Sequence, residues 1–140
     1  MKLSRTVEYA VQAVLQLAEH ERSKPVPCSQ LAAQGKMPER FLLQILRNLV
    51  THGILNSTRG VDGGYALERS PDQITLLDVL EAVDGPLQSQ QSPAGGLPPE
   101  SQQRLSAALD EVTSVTRRQL AAIKMSGLLP PPKRDAPSGS

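Results

Sequence analysis

Apolar residues recur every three or four positions along most of this chain, which predicts a mainly α-helical fold. The helices expected from this spacing cover residues 3–20, 28–34, 38–51, 75–84 and 100–125. Gly35 is expected to end the second helix and Gly53 the third, because glycine readily takes the conformation found just after a helix. Thr75 and Asp78 have the spacing of a capping box at the start of the fourth helix.

The spacing of apolar residues changes between residues 54 and 67 and is no longer helical. Residues 54–57 and 65–67 are typical of two short strands, and the glycine-rich stretch 58–64 between them predicts a hairpin loop. Two short helices with a tight turn, followed at once by a hairpin, indicate a winged helix-turn-helix. We therefore expect a mainly α fold with a two-stranded β wing and a long C-terminal dimerisation helix.

The last predicted helix is too long for the small core available. At ~1.5 Å per residue, residues 100–125 would extend about 38 Å. Its apolar positions form an imperfect stripe that needs a partner, and they are Leu105, Leu109, Val112, Leu120 and Ile123. We therefore predict that residues 100–127 hold two copies of the chain together.

Two stretches stand apart in composition and set the expected domain boundaries. Residues 86–99 are uncharged and rich in proline and glycine, which predicts a flexible loop after a DNA-binding domain at 1–85. Residues 128–140 carry four prolines and predict a disordered tail.

Composition narrows the possible functions. Only Tyr9, Phe41 and Tyr65 are aromatic among 140 residues, so the core must be aliphatic and aromatic-lined sugar or base-stacking platforms are excluded. A single cysteine excludes an internal disulfide and a zinc site built on several thiolates. No apolar run reaches the roughly 18 residues of a membrane span. The charged opening does not resemble a signal peptide, so we expect a soluble, cytoplasmic protein.

The net charge of +1 hides an asymmetry between the two halves. Residues 1–69 hold nine Lys/Arg and six Asp/Glu, hence +3, whereas residues 70–140 hold six and eight, hence −2. A mildly basic first half permits a polyanionic partner without requiring one.

The helix at 38–51 carries the chemistry that reading DNA requires. Arg40, Gln44 and Arg47 are spaced by four and three residues and share one exposed face. In the major groove Arg pairs with guanine and Gln with adenine. A solvated helix surface is the alternative interpretation. Arg59 and Gly60 at the hairpin tip favour contact with phosphates or a minor groove, although a surface arginine on a tight turn would look the same.

Several motifs together make the resemblance specific. They are Arg-Gly-Val-Asp-Gly-Gly-Tyr at 59–65, Ile-Thr-Leu-Leu-Asp-Val at 74–79, Ala-Val-Asp-Gly at 82–85, Lys-Leu-Ser at 2–4 and Phe-Leu-Leu-Gln-Ile-Leu at 41–46. The chain resembles the Rrf2 family of winged-helix transcription regulators, of the IscR, NsrR and CymR type. Residues 1–85 match closely, and residues 100–125 match in pattern.

The resemblance implies a role for each matched position. Arg40, Gln44 and Arg47 would lie on the groove face of the reading helix, with Arg59 and Gly60 at the wing tip. Where the first helix approaches the DNA backbone, the matched positions are Lys2, Ser4 and Tyr9. It also implies a homodimer that binds double-stranded DNA at a palindrome.

One departure from the family pattern concerns the cofactor. Many relatives hold an iron–sulfur cluster on three cysteines in the loop that corresponds to 86–99, and here that loop has no Cys and no His. We therefore expect no cofactor and no metal. Cys28 is interpreted as a small hydrophobe. The alternative is a reactive thiol, since a helix N-terminus lowers thiol pKa.

Three functional hypotheses follow. The first is a dimeric repressor of the cluster-free branch, controlled by a small ligand, a partner protein or Cys28. The second is a winged-helix protein-interaction module with weak or lost DNA binding. An enzyme is the third, and the sequence offers it no nucleophile–base pair, metal set or cofactor motif.

Overall fold

The computed structural model describes residues 1–88 and 95–131. Within these residues the helices are α1 (Arg5–Ala18), α2 (Cys28–Gly35), α3 (Glu39–Thr51), α4 (Leu76–Asp84) and α5 (Pro99–Ala122). The strands are β1 (Leu55–Thr58) and β2 (Gly64–Leu67), and short 3₁₀ helices cover Pro71–Gln73 and Met125–Leu128. The predicted mainly α architecture with a two-stranded sheet and a long C-terminal helix is confirmed. In the described part of the chain, no helix is long and apolar enough to cross a membrane.

The core lies between α1, α3 and α4 and is aliphatic, as the composition predicts. The buried positions of α3 are those expected from its spacing: Leu42, Ile45, Leu46 and Leu49. Helix α1 contributes Val7, Ala10, Ala13, Val14 and Leu17. Because α3 buries this stripe, its other side faces solvent.

The turn between α2 and α3 differs from the prediction that Gly35 ends a helix at residue 34. Gly35 is the last residue of α2, and Lys36 takes the left-handed conformation instead, with φ of 53°. A Cβ on Gly35 would lie 2.6 Å from Gln12 Nε2. That same Nε2 donates a hydrogen bond of 2.8 Å to the Gly35 carbonyl. The glycine therefore serves the close contact between α2 and α1.

The wing forms an antiparallel hairpin in which Leu55 pairs with Leu67 and Thr58 with Gly64. The segment before α2 joins it, because Val26 and Tyr65 exchange two backbone hydrogen bonds of 2.9 Å. At Gly64, where φ is 152°, a Cβ would lie 2.4 Å from the Val26 carbonyl carbon. Glycine is required there by this close approach of two backbones.

The predicted capping box of α4 is confirmed. The backbone N–H of Asp78 donates to Thr75 Oγ1, and that of Thr75 donates to Asp78 Oδ2, both at 3.0 Å. Gly85 ends the helix with φ of 86°.

Helix α5 ends at Ala122, earlier than the predicted boundaries at 125 and 127. The chain then runs alongside the residues that precede α4. The N–H of Leu76 donates to the Ile123 carbonyl, and the N–H of Met125 donates to the Ile74 carbonyl, both at 2.8 Å.

Two members of the predicted dimerisation stripe do not lie on the exposed side of α5. Leu120 is buried in its own chain, and Ile123 lies outside the helix. Leu128 belongs to a 3₁₀ helix, so the predicted tail does not begin there. The rest of the tail from 132, and residues 89–94 of the predicted loop, lie outside the described residues.

Candidate nucleic-acid interface

The outward side of α3 carries an exposed polar set. Arg40, Gln44 and Arg47 are all exposed, opposite the buried stripe. Among the described residues neither arginine pairs with a carboxylate, so both guanidinium charges face solvent. Gln44 Nε2 donates to Asn48 Oδ1 at 3.3 Å, which aligns the amide along the helix. The structure thus brings the three predicted residues together on one surface.

Helix α1 adds a second wall to this surface. Tyr9 is half-buried, and Arg5 and Thr6 are exposed at the start of α1. Together with Phe41 and Gln44 they line an open cleft of about 310 Å³ between α1 and α3. Tyr9 therefore lies beside α3, and its predicted approach to the DNA backbone stays a prediction.

Sequence reasoning missed four residues at this cleft, and helical spacing could have indicated three of them. Arg5 lies one helical turn before Tyr9, so both lie on the same side of α1. Phe41 and Asn48 stand one turn before and one turn after Gln44. Thr6 carries no comparable signal.

Lys2 and Ser4 precede α1 and lie near the end of α4. Ser4 Oγ accepts a hydrogen bond of 3.2 Å from the Val7 N–H and so caps α1. It also donates to Asp84 Oδ2 at 3.4 Å. Lys2 lines a cavity of about 470 Å³ with Asp84 and Leu87, not the cleft beside Gln44. A DNA contact from Lys2 or Ser4 stays a prediction.

The wing tip is narrow and exposed. Arg59 follows β1 directly, and Gly60 has φ of 110°. The N–H of Gly63 donates to the Gly60 carbonyl at 3.0 Å and closes the turn. A Cβ on Gly63 would lie 2.1 Å from the Thr58 carbonyl oxygen, so the turn admits no side chain there. This leaves Arg59 exposed beside a tight turn.

Two other arginines near the wing are used inside the chain. Arg22 Nε donates to the Leu67 carbonyl at 3.1 Å. Arg69 donates to the carbonyls of Gly53 and Gln73, at 3.3 Å and 3.0 Å. Arg22 and Arg69 therefore hydrogen-bond to backbone carbonyls of the chain, whereas Arg59 is exposed at the wing tip.

Helix α5 presents an apolar side to solvent. Leu105, Val112 and Val115 are 44%, 59% and 37% exposed, and Leu109 is half-buried. Val115 was not predicted as part of this stripe. Thr116 lies in the gap of the stripe, and its hydroxyl donates to the Val112 carbonyl at 2.8 Å.

The other side of α5 is fastened to α4. Arg117 forms an ion pair with Glu81 at 2.5 Å, and the same carboxylate accepts a hydrogen bond of 2.7 Å from the Leu87 N–H. The C-terminal part of α5 is therefore docked on its own chain through Arg117 and Leu120.

Cys28 is half-buried at the start of α2 and packs against the core, as expected of a small hydrophobe. Its Sγ lies 3.9 Å from the Glu39 carbonyl oxygen. Burial, and then the nearby Glu39 carboxylate, raise the pKa of the thiol. A raised pKa argues against the alternative of a thiol activated by the helix N-terminus, since activation requires a lowered pKa.

Comparison with known proteins assigns the chain to a family. A family model described as "Rrf2: Iron-dependent Transcriptional regulator" matches residues 3–131. The chain belongs to the Rrf2 family. This confirms the resemblance drawn from the Arg-Gly-x-x-Gly-Gly-Tyr signature.

Individual Rrf2 relatives agree with this assignment. The chain is 44% identical over 89 residues to the Mycobacterium tuberculosis protein named "Putative HTH-type transcriptional regulator Rv1287". That match covers 64% of this chain and 55% of the relative, so the chain spans about half the relative's length. The solved structure of CymR (YrzC), the global cysteine regulator of B. subtilis, is 25% identical, with a TM-score of 0.69 over 91% of this chain and 95% of CymR. T. potens IscR is 26% identical, with a TM-score of 0.69 over 91% of this chain and 85% of IscR.

The residues of this Rrf2 protein do not fit a cysteine-ligated iron cluster. Cluster iron is held mainly by several thiolates, and the chain has one cysteine. That cysteine, Cys28, is packed beside Glu39 at the start of α2. In residues 1–88 and 95–131, no group of three His, Cys, Asp or Glu side chains is arranged to hold a metal ion.

Proposed function

We propose that this Rrf2 protein is a sequence-specific DNA-binding transcription regulator. It binds palindromic operators as a homodimer and acts as a repressor in the cytoplasm. One observation carries the proposal: Arg40, Gln44 and Arg47 share the exposed side of α3, neither arginine pairs with a carboxylate among the described residues, and Arg59 is exposed on the wing. A surface of this kind fits the donors and acceptors of a major groove and its flanking phosphates.

Each element supplies a different kind of contact. Helix α3 enters the major groove, where Gln44 pairs with adenine and an arginine can pair with guanine. The exposed start of α1 supports this, since Arg5 and Thr6 can donate hydrogen bonds to phosphates and the helix N-terminus favours negative charge. Arg59 reaches a phosphate or the minor groove from the wing.

The apolar side of α5 supports a two-fold assembly. Leu105 and Val112 expose large aliphatic side chains that a second copy would cover. A two-fold dimer presents two α3 helices to half-sites one helical turn apart, which are 10–10.5 bp by centre-to-centre distance. Repression is the outcome that we propose for an operator that overlaps a promoter, because a dimer bound there would exclude the polymerase.

We further propose that the regulator works without an iron–sulfur cluster, because the chain lacks the thiolates that a cluster requires. Protein purified without oxygen should be colourless and should contain no stoichiometric iron or sulfide. Stoichiometric iron and sulfide with a visible charge-transfer band would contradict this.

The decisive test is selection of DNA from a random duplex pool by the purified protein. We expect enrichment of one inverted repeat, followed by tight binding of that repeat relative to a scrambled duplex of the same composition. Absence of any enriched sequence would contradict the proposal and would favour the protein-interaction module.

A further inference from the structure

We propose that Phe41 reads the 5-methyl group of a thymine in the major groove, beside the base that Gln44 reads. This inference rests on the proposed function. It adds an apolar contact to the polar set and so predicts a specific feature of the operator.

The first observation is the exposure of Phe41. Its side chain is 62% exposed, whereas the other two aromatic residues, Tyr9 and Tyr65, are half-buried. Exposed apolar residues are common, so exposure alone carries no function. Phe41 differs because it lies on the helix whose neighbouring exposed positions are Arg40 and Gln44.

The second observation is the cleft beside the ring. Phe41, Tyr9 and the buried Ile45 supply its apolar surface. Arg5 and Thr6 stand on the α1 side, and Gln44 stands on the α3 side. The residues that line this cleft, all within the described part of the chain, include a cation and no carboxylate. A DNA strand can therefore approach the ring without meeting negative charge at the cleft.

Base chemistry selects thymine as the contact. Thymine presents a methyl group in the major groove, and Phe is among the side chains that contact it. Phe41 lies in the first turn of α3, and the N-terminal residues of a reading helix meet base edges. Residues three apart on a helix have Cβ atoms about 5–6 Å apart, and successive bases on one strand are spaced ~3.4 Å along the axis. The thymine should therefore lie within about two base pairs of the Gln44 base.

The experiment removes the methyl group from the DNA. Once a preferred repeat has been selected, each thymine in a half-site is replaced by deoxyuracil, and affinity is measured for each duplex. We expect one sensitive position, within about two base pairs of the base at which Gln44→Ala relaxes sequence preference. Replacement of thymine there should weaken binding about fourfold per half-site, which is the value for burying one methyl-sized group. The remaining thymines should be insensitive.

Protein variants assign that effect to a side chain. Phe41→Ala should bind the thymine and deoxyuracil duplexes equally well, and Phe41→Leu should keep part of the difference. Gln44→Ala is the matched control on the same helix: it should bind more weakly but keep the full difference. Because the wild-type scan alone detects the methyl contact, the test does not depend on a variant that folds.

The outcomes separate this inference from the proposed function. If no sequence is enriched, both are wrong. If a repeat is enriched but no thymine is sensitive, base reading stands and the Phe41 contact is wrong. If the sensitivity persists in Phe41→Ala, another side chain reads the methyl and the assignment to Phe41 is wrong.

Discussion

Helices α3 and α5 both pack one side on the same core and leave the other side exposed, but the two exposed sides differ in chemistry. Arg40, Gln44 and Arg47 make the outer side of α3 polar and cationic. Leu105 and Val112 make the outer side of α5 apolar. The two surfaces are therefore suited to different partners.

The difference follows from what each surface gains on binding. A cationic, hydrogen-bonding surface gains from a polyanion through charge pairing and release of counterions. An apolar surface gains from removal of its area from water, at about 25 cal/mol per Å². DNA is therefore the partner expected for α3, and a second copy of the chain is the partner expected for α5.

The largest expected effect comes from charging the exposed side of α5. Leu105→Asp with Val112→Asp should produce a monomer, because burial of two carboxylates in an apolar interface is unfavourable. DNA affinity should then fall about 10²–10⁴-fold, since the two half-sites are no longer bound together. Sedimentation and a mobility-shift titration measure the two effects.

The matched control adds the same charges to other exposed positions of α5. Gln103→Asp with Ala107→Asp lies away from the Leu105–Val112 stripe and should leave both assembly and DNA affinity unchanged. If the Leu105→Asp, Val112→Asp variant stays dimeric, the dimer interface lies elsewhere and the exposed side of α5 does not bind a second copy.

A smaller effect is expected from a substitution in the wing. It should lower the stability of the wing and leave dimerisation through α5 unchanged. Gly64→Ala should lower the free energy of unfolding by more than the ~1–3 kcal/mol of backbone strain, because its Cβ would collide with the Val26 backbone. Gly60→Ala is the control, since its φ is also positive but no atom lies within 4 Å of its Cβ. Urea unfolding should show the larger loss for Gly64→Ala, with dimerisation of the folded fraction unchanged. Equal losses would mean that the contact with Val26 does not constrain the wing.

The smallest effect concerns Cys28, which lies beside the first residue of α3. Since burial and Glu39 raise the thiol pKa, alkylation by iodoacetamide should be slower than for free cysteine at neutral pH and should rise as pH increases. The folded thiol keeps its proton to higher pH than the unfolded one. Its contribution to stability is therefore intact below the unfolded pKa and disappears as pH rises through the folded pKa.

Glu39→Gln should speed this alkylation only slightly, since burial is the larger cause of the raised pKa. A Cys28 that reacts faster than free cysteine at neutral pH would contradict the structure around it.

The features that sequence predicted correctly depend on residues close together in the chain. The buried stripe of α3 follows from helical spacing, and the capping box of Thr75 and Asp78 follows from two residues three apart. Physical rules for these patterns act within one or two turns. The exposed set on α3 was predicted for the same reason.

The features that sequence missed depend on distant contacts. Gly35 belongs to α2 because it packs on Gln12 of α1, so the left-handed position falls to Lys36. Helix α5 ends early because Ile123 pairs with Leu76, far back in the chain. Helical spacing puts Phe41 one turn before Gln44, but the cleft beside its ring forms only where α1 packs against α3.

The most direct test of base reading by α3 is a binding titration at several salt concentrations, on the selected and scrambled duplexes, for wild type, Arg59→Ala and Gln44→Ala. Arg59→Ala should weaken binding to both duplexes. The slope of log K against log salt concentration should become shallower by ~0.9 for each phosphate that the protein no longer neutralises. Gln44→Ala should keep the slope and cost about 1–3 kcal/mol on the selected duplex alone. If Gln44→Ala weakens both duplexes equally, Gln44 does not read a base. If wild type binds the selected and scrambled duplexes equally well, the exposed side of α3 does not read bases and the proposed function is contradicted.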